Sequence, residues 1–180
     1  MIALELRTVD PQGTRLAART LAGELTAGDL IVLDGALGAG KTTFTQGLGE
    51  GLGVRGPVAS PTFVIARVHP SQGEGPSLVH VDAYRLGGAA DLEDLDLEAE
   101  LDEAVTVVEW GRDRVEHLAS SHLLIELERP DRVEDPSTPE EPRTLRLLPF
   151  GPRWDRGAVE GLMSALSSAG LPVEAKELES

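Results

Sequence analysis

Four aliphatic residues, Leu30-Ile31-Val32-Leu33, lead through Asp34 into Gly35-Ala36-Leu37-Gly38-Ala39-Gly40-Lys41-Thr42, and then into Thr43-Phe44-Thr45-Gln46-Gly47-Leu48. The aliphatic run reads as a strand buried on both faces, the glycine-rich stretch as a tight loop, and the segment after it as a helix. A strand passing through a short glycine loop into a helix is the opening of an α/β unit, so the chain is expected to build a sheet covered by helices.

The loop carries chemistry as well as shape. Its spacing is G-x-x-x-x-G-K-[ST], the Walker A pattern of a P-loop. Glycines let consecutive backbone N–H groups turn inward around phosphate oxygens, and the following helix adds its positive N-terminal dipole. Gly38, Ala39, Gly40, Lys41, Thr42 and Thr43 are therefore the candidate phosphate cradle. Lys41 is placed to reach the terminal phosphates, and the Thr42 hydroxyl is a ligand for Mg²⁺. The chain contains only two lysines, Lys41 and Lys176, against fourteen arginines. A lysine where the loop requires one is thus not a product of composition. Asn is absent altogether, which removes the Asn-Lys-x-Asp motif that guanine readers use and makes ATP the expected nucleotide.

A P-loop needs an acidic partner for metal or water at the carboxyl end of a neighbouring strand. Two positions qualify: Asp82 after Leu78-Val79-His80-Val81, and Glu109 after Val105-Thr106-Val107-Val108. Ser60-Pro61-Thr62-Phe63 follows the P-loop helix, and Thr62 has the character of a switch threonine that contacts Mg²⁺ or the γ-phosphate. In extended chain His80, Asp82 and Tyr84 share a face. His80 is a candidate to position a phosphate or water, and Arg85 to balance charge. Trp110 directly follows Glu109 and either stacks on adenine or fills the core.

The remaining pattern gives strands over 2–8, 62–68, 78–82, 105–109, 123–127 and 144–148. Helices are expected over 11–25 (capped by Asp10), 91–103 and 155–168. Segment 91–103 carries eight acids and reads as a solvated helix face or a docking surface for a basic partner. An acidic, Pro-rich stretch over 130–142 joins the last two strands as a long hairpin connection. Strands alternate with helices early and cluster late. The expected fold is therefore α/β, a P-loop NTPase-like mixed, mainly parallel sheet with helices on both faces. Residues 1–170 are expected to form a single domain and 171–180 a frayed tail.

A net charge of −15 argues against broad electrostatic attachment to nucleic acid or anionic lipid. The absence of Cys rules out disulfides and cysteine zinc sites. No apolar run approaches transmembrane length and no signal-peptide pattern opens the chain, so an ATP-using protein of the cytoplasm is expected.

Taken together, Gly35 to Thr43, Ser60-Pro61-Thr62-Phe63, His80-x-Asp82-x-Tyr84-Arg85-Leu86 and Glu109-Trp110-Gly111 resemble the TsaE (YjeE) family in order and spacing. The resemblance spans nearly the whole chain. It implies a small cytoplasmic ATPase of tRNA threonylcarbamoyladenosine (t6A) synthesis. Such a protein works with TsaD and TsaB, meets tRNA only through that complex, and sustains its turnover without transferring the group itself. Carried over by position, it implies Lys41 on the β/γ-phosphates, Thr42 and Glu109 on Mg²⁺, Asp82 and Thr62 in hydrolysis, and Trp110 close to the nucleotide. The chain departs from the family pattern at Ala36, Ala83 and Gly111. It also departs at His69, which stands where a Tyr is common, and in the 130–142 stretch. The competing reading is a P-loop small-molecule kinase, in which Arg112 and Arg114 would imitate an arginine-rich lid.

Overall fold

The computed structural model describes residues 2–61, 65–86, 101–130 and 141–178. Eight strands form one sheet: β1 (Ile2–Thr8), β2 (Leu30–Asp34), β3 (Ala66–His69), β4 (Ser77–Asp82), β5 (Ala104–Glu109), β6 (His122–Glu128), β7 (Arg143–Phe150) and β8 (Val173–Glu177). Their order across the sheet is β3-β4-β5-β2-β6-β7-β1-β8. The four central strands β4, β5, β2 and β6 are mutually parallel. Antiparallel pairings add β3 at one side and β7, β1 and β8 at the other. The mixed, mainly parallel sheet expected from the chain's early alternation is thus its central part.

The central strands carry unbroken aliphatic runs because both of their faces are covered. Leu30, Ile31, Val32 and Leu33 are all fully buried. One face lies under α1 (Pro11–Ala22), α2 (Lys41–Leu52) and α3 (Arg156–Ser168). Phe44 and Leu48 of α2 pack there with Ile31, Leu33, Val105 and Val107. Burial of Phe44 alone contributes about 1.5–3 kcal/mol. Opposite it, Val32, Val79, Val81 and Val108 pack with Leu86, Leu101 and Val115, of which Leu86 and Val115 flank the 3-10 turns Ala83–Arg85 and Glu116–Leu118.

Local signals account for the helix starts. The Asp10 side chain accepts a hydrogen bond from Gly13 N at 2.7 Å, and Pro11 occupies the first turn, where its missing N–H costs nothing. Asp155 caps α3 in the same way through Ala158 N at 2.9 Å. Helix α1 and α2 meet across glycine. A Cβ on Gly47 would stand 2.5 Å from the Arg15 carbonyl, so only glycine permits this approach.

The structure corrects several sequence expectations. Helix α1 stops at Ala22 rather than 25, with Gly23 as its C-cap. Residues 173–177, expected within a frayed tail, form the edge strand β8, paired with β1 from Ile2↔Glu177 to Leu6↔Val173. The unpaired backbone groups along β1 are the physical reason, because a strand with one free side recruits any extended segment nearby. Strand β3 begins at Ala66, and 62–64 of the expected 62–68 strand lie outside the described residues. The acidic helix expected over 91–103 lies there too except for 101–103, and so does most of the 130–142 connection.

Candidate functional site

Parallel register brings the chemistry together. Leu33 pairs with Glu109, and Glu109 pairs with Asp82 on its other side. The carboxyl ends of β2, β5 and β4 are therefore level, and the loop leaving β2 opens beside both acids. Crevices at such ends are where open α/β sheets bind ligands.

The loop from Gly35 to Gly40 has positive φ at Gly35 (148°), Gly38 (78°) and Gly40 (107°). Gly40 is the N-cap of α2 and makes no side-chain capping bond. The first N–H groups of that helix thus face the cavity uncapped, and a helix N-terminus of this kind favours an anion. The cavity has a volume of about 330 Å³. Gly38, Gly40, Lys41, Thr42 and Thr43 line it on the loop side and Asp82, Glu109 and Trp110 on the strand side, with Glu141 and Arg143 completing the wall.

Lys41 is buried and folded back. Its Nζ donates to the Gly35 carbonyl at 2.5 Å and the Ala36 carbonyl at 3.0 Å, and lies 3.7 Å from the centroid of the Trp110 ring. Burial pushes the ammonium below the usual lysine range, against the opposing pull of Glu109, Asp34 and Asp82. The cation is held by acceptors that a phosphate would replace.

Glu109 is the hub of the acidic side. Its carboxylate accepts from Thr42 Oγ1 at 3.1 and 3.2 Å and is 2.8 Å from His80 Nε2. A carboxylate only accepts, so Nε2 carries the hydrogen in this pair. His80 is fully buried. It is thus a support for Glu109 and not the direct phosphate or water contact considered from the sequence. His80 Nδ1 and His69 Nε2 have no protein partner among the described residues, and the two rings lie 6.4 Å apart. Asp82 is buried and held differently: Oδ2 accepts from Ser60 Oγ at 3.3 Å and Oδ1 from Tyr84 N at 3.0 Å. The two acids are adjacent in register but tied to different segments, Glu109 to the P-loop helix and Asp82 to the Ser60-Pro61 segment.

Trp110 has a positive φ of 61°, and its N–H donates to the Leu33 carbonyl at 3.0 Å. This turn brings the indole over Lys41 and 5.1 Å from the exposed Tyr84 ring. Such strain in a non-glycine residue costs about 1–3 kcal/mol and clusters at functional positions. The ring stands beside the lysine and also packs against the cluster of Val32, Val81 and Val108, so the core-filling reading holds for part of its surface. Thr62 lies outside the described residues.

Hard oxygen donors from Thr42 and Glu109, converging at an anion cradle, fit Mg²⁺ with a nucleotide phosphate as its other ligand. Arg112 donates to Asp34 at 3.0 Å and Glu126 at 2.5 Å, and Arg114 to the carbonyls of Ala83 and Leu86. Neither lines the cavity, so the lid suggested for a kinase is not built from them.

Sequence reasoning missed Arg143, which is buried and bonded to the carbonyls of Gly38 and Ala39. Its only local signal was an arginine opening a strand that carries a second one, Arg146. No helix among the described residues is long and apolar enough to cross a membrane.

Comparison with known proteins agrees with this geometry. Residues 8–135 match the family described as Threonylcarbamoyl adenosine biosynthesis protein TsaE. A protein of Streptomyces coelicolor, named tRNA threonylcarbamoyladenosine biosynthesis protein TsaE, is 57% identical over 141 residues, which are 78% of this chain and 93% of that one. The Bacillus subtilis protein of the same name is 41% identical over 130 residues, covering 72% and 80% of the two chains. The crystal structure of Bacillus subtilis YdiB superposes with a TM-score of 0.68 at 30% identity, covering 91% of this chain and 97% of that one.

Proposed function

The chain belongs to the TsaE family, and from that premise we propose that it is the ATP-hydrolysing component of the bacterial machinery that makes t6A in tRNA. It acts in the cytoplasm with TsaD and TsaB, contacts tRNA only through them, and sustains their repeated turnover. The observation that carries the ATPase reading is the meeting of Lys41, Thr42, Glu109 and Asp82 in one cavity at the ends of three adjacent parallel strands.

The roles follow from what holds each side chain. Lys41 leaves the carbonyls of Gly35 and Ala36 for the β- and γ-phosphates, where its charge offsets that of the ligand. Backbone N–H groups of 38–43 cradle the phosphates. Thr42 and Glu109 would hold Mg²⁺, which supplies neutralisation of charge developing on the phosphoryl oxygens. His80 keeps Glu109 in place. Asp82, steadied by Ser60 and the Tyr84 N–H, orients water for in-line attack on the γ-phosphorus. Thr62, two residues beyond Ser60, takes the switch position that senses the γ-phosphate. Trp110 packs on the lysine and reports nucleotide occupancy.

Purified TsaD, TsaB and the enzyme that makes the threonylcarbamoyl adenylate provide the test. Product is measured over many turnovers on a tRNA decoding ANN codons, with no added protein, with this protein, or with Lys41→Ala. Sustained turnover only with the wild-type chain is expected. Equal product in all three would overturn the reading.

A further inference from the structure

The P-loop imposes a polarity on its own backbone. If its N–H groups face the phosphates, the carbonyls between them must face the protein, and a buried carbonyl without a donor is costly. In this structure Lys41 Nζ meets the Gly35 and Ala36 carbonyls, and the donors to those of Gly38 and Ala39 come from one side chain far along the sequence. Arg143 Nε donates to the Ala39 carbonyl at 2.9 Å, and Nη2 donates to the Gly38 carbonyl at 3.3 Å. The rest of the guanidinium is committed to its own strand entry. Nη1 donates to the carbonyls of Glu141 at 3.1 Å and Pro142 at 2.8 Å, and Nη2 also pairs with the Glu141 carboxylate at 3.2 Å. The side chain is buried, yet it lines the nucleotide cavity.

We propose that Arg143 is a positioning residue for the P-loop: it holds the Gly38 and Ala39 carbonyls outward, so that the loop N–H groups stay turned toward phosphate and nucleotide affinity depends on the entry to β7. The inference rests on the proposed nucleotide site. It adds a residue that lies outside the matched family segment, which ends at 135.

The planar fork explains why arginine is used. Donors on one rigid plane reach two loop carbonyls and two strand-entry carbonyls at once, which a lysine ammonium with three donors cannot reproduce. The guanidinium is also permanently charged. It places a fixed cation in the wall of a cavity meant for a polyanion, behind the loop rather than in contact with the reacting atoms. Its effect is therefore on ground-state binding, and KM rises more than kcat falls when it is replaced.

The test is calorimetric titration of MgADP into wild type, Arg143→Lys, Arg143→Gln and Arg143→Met, with hydrogen exchange of amides 36–43 in the unliganded proteins. Arg146→Gln serves as control, since Arg146 lies on the same strand but bonds Glu5 and Glu128. Arg143→Gln and Arg143→Met are expected to bind about 10-fold or more weakly, the scale of a lost charge-assisted hydrogen bond. Their loop amides should exchange faster while those of β2 do not. Arg143→Lys should fall between, and the control should match wild type. If the Gln and Met variants do not fold, Arg143→Lys decides: weaker binding supports the inference and wild-type affinity refutes it. A folded variant with lowered melting temperature but unchanged affinity and loop exchange would reduce Arg143 to a fold residue and overturn the proposal. Wild-type protein that fails to bind MgADP would instead overturn the ATPase reading on which the inference stands.

Discussion

Gly35 and Gly38 occupy the same loop and look alike in the sequence, but replacing each with alanine should have different consequences. At Gly35 φ is 148°, and an added Cβ would lie 2.4 Å from the Leu127 carbonyl oxygen and 3.1 Å from Ala39 Cβ. The backbone region costs an L-residue about 1–3 kcal/mol. The contact with a backbone atom of β6 cannot be relieved by a rotamer change and adds about 1–3 kcal/mol of overpacking. Loss of unfolded-state freedom returns about 0.4–1 kcal/mol. Gly35→Ala should therefore destabilise by roughly 2–5 kcal/mol, or about 5–20 °C in melting temperature for a chain of this size. At Gly38 φ is 78° and nothing lies within 4 Å of the added Cβ. Only the left-handed strain of about 1–2 kcal/mol applies, partly offset by the unfolded-state term, for a net cost near 1 kcal/mol. Thermal unfolding followed by circular dichroism measures both. Gly35→Ala melting within about 2 °C of wild type, or Gly38→Ala losing as much as Gly35→Ala, would refute the claim that β6 and not the turn alone demands the first glycine.

Three further outcomes are expected. Glu109→Gln keeps the shape around Thr42 and His80 but removes the charge. Mg²⁺ should then enhance nucleotide affinity several-fold less, as read by titrating ADP with and without the metal, and hydrolysis should fall by about 100-fold or more. Burial holds His69 and His122 below the ordinary histidine range. The unfolded chain therefore binds their protons more readily, and the stability from this source is intact above about pH 6.5 and lost as pH falls through the folded values. Melting curves between about pH 7.5 and 5.5 (one unit to either side of the ordinary histidine value) should show a shallower acid loss for His122→Gln than for wild type. Gly47→Val should push α1 off α2, because a Cβ added there would stand 2.5 Å from Arg15 O and 2.8 Å from Ala18 Cβ. A loss of at least about 1–3 kcal/mol in denaturant unfolding is expected.

Much of the site was legible because its signals are local. Glycines spaced ahead of a lysine and a threonine marked a candidate phosphate cradle, and two acids ending apolar strands were the natural candidates for metal and water. The structure sets both beside that loop. The residues alone did not divide the two roles between them; the family resemblance did. Only the packed side chains tie Glu109 to Thr42 and His80, and Asp82 to Ser60 and the Tyr84 N–H. His80 was a candidate to position a phosphate or water and is instead buried against Glu109, since a strand pattern gives the face of a residue but not the partner waiting there.

By itself the sequence determined the elements whose causes lie within a few residues: the strand–loop–helix of the P-loop, the Asp10 and Asp155 caps, the alternation that produced a central parallel sheet, and the chemistry available at its edge. Tertiary structure decided what depends on segments a hundred residues apart. It made a strand of 173–177 by pairing it with the free side of β1, made Gly35 irreplaceable by setting β6 against it, and brought Arg143 under a loop 104 positions away. Local propensity is written in neighbouring residues. Which buried carbonyl meets which distant donor is settled only when the sheet closes around both.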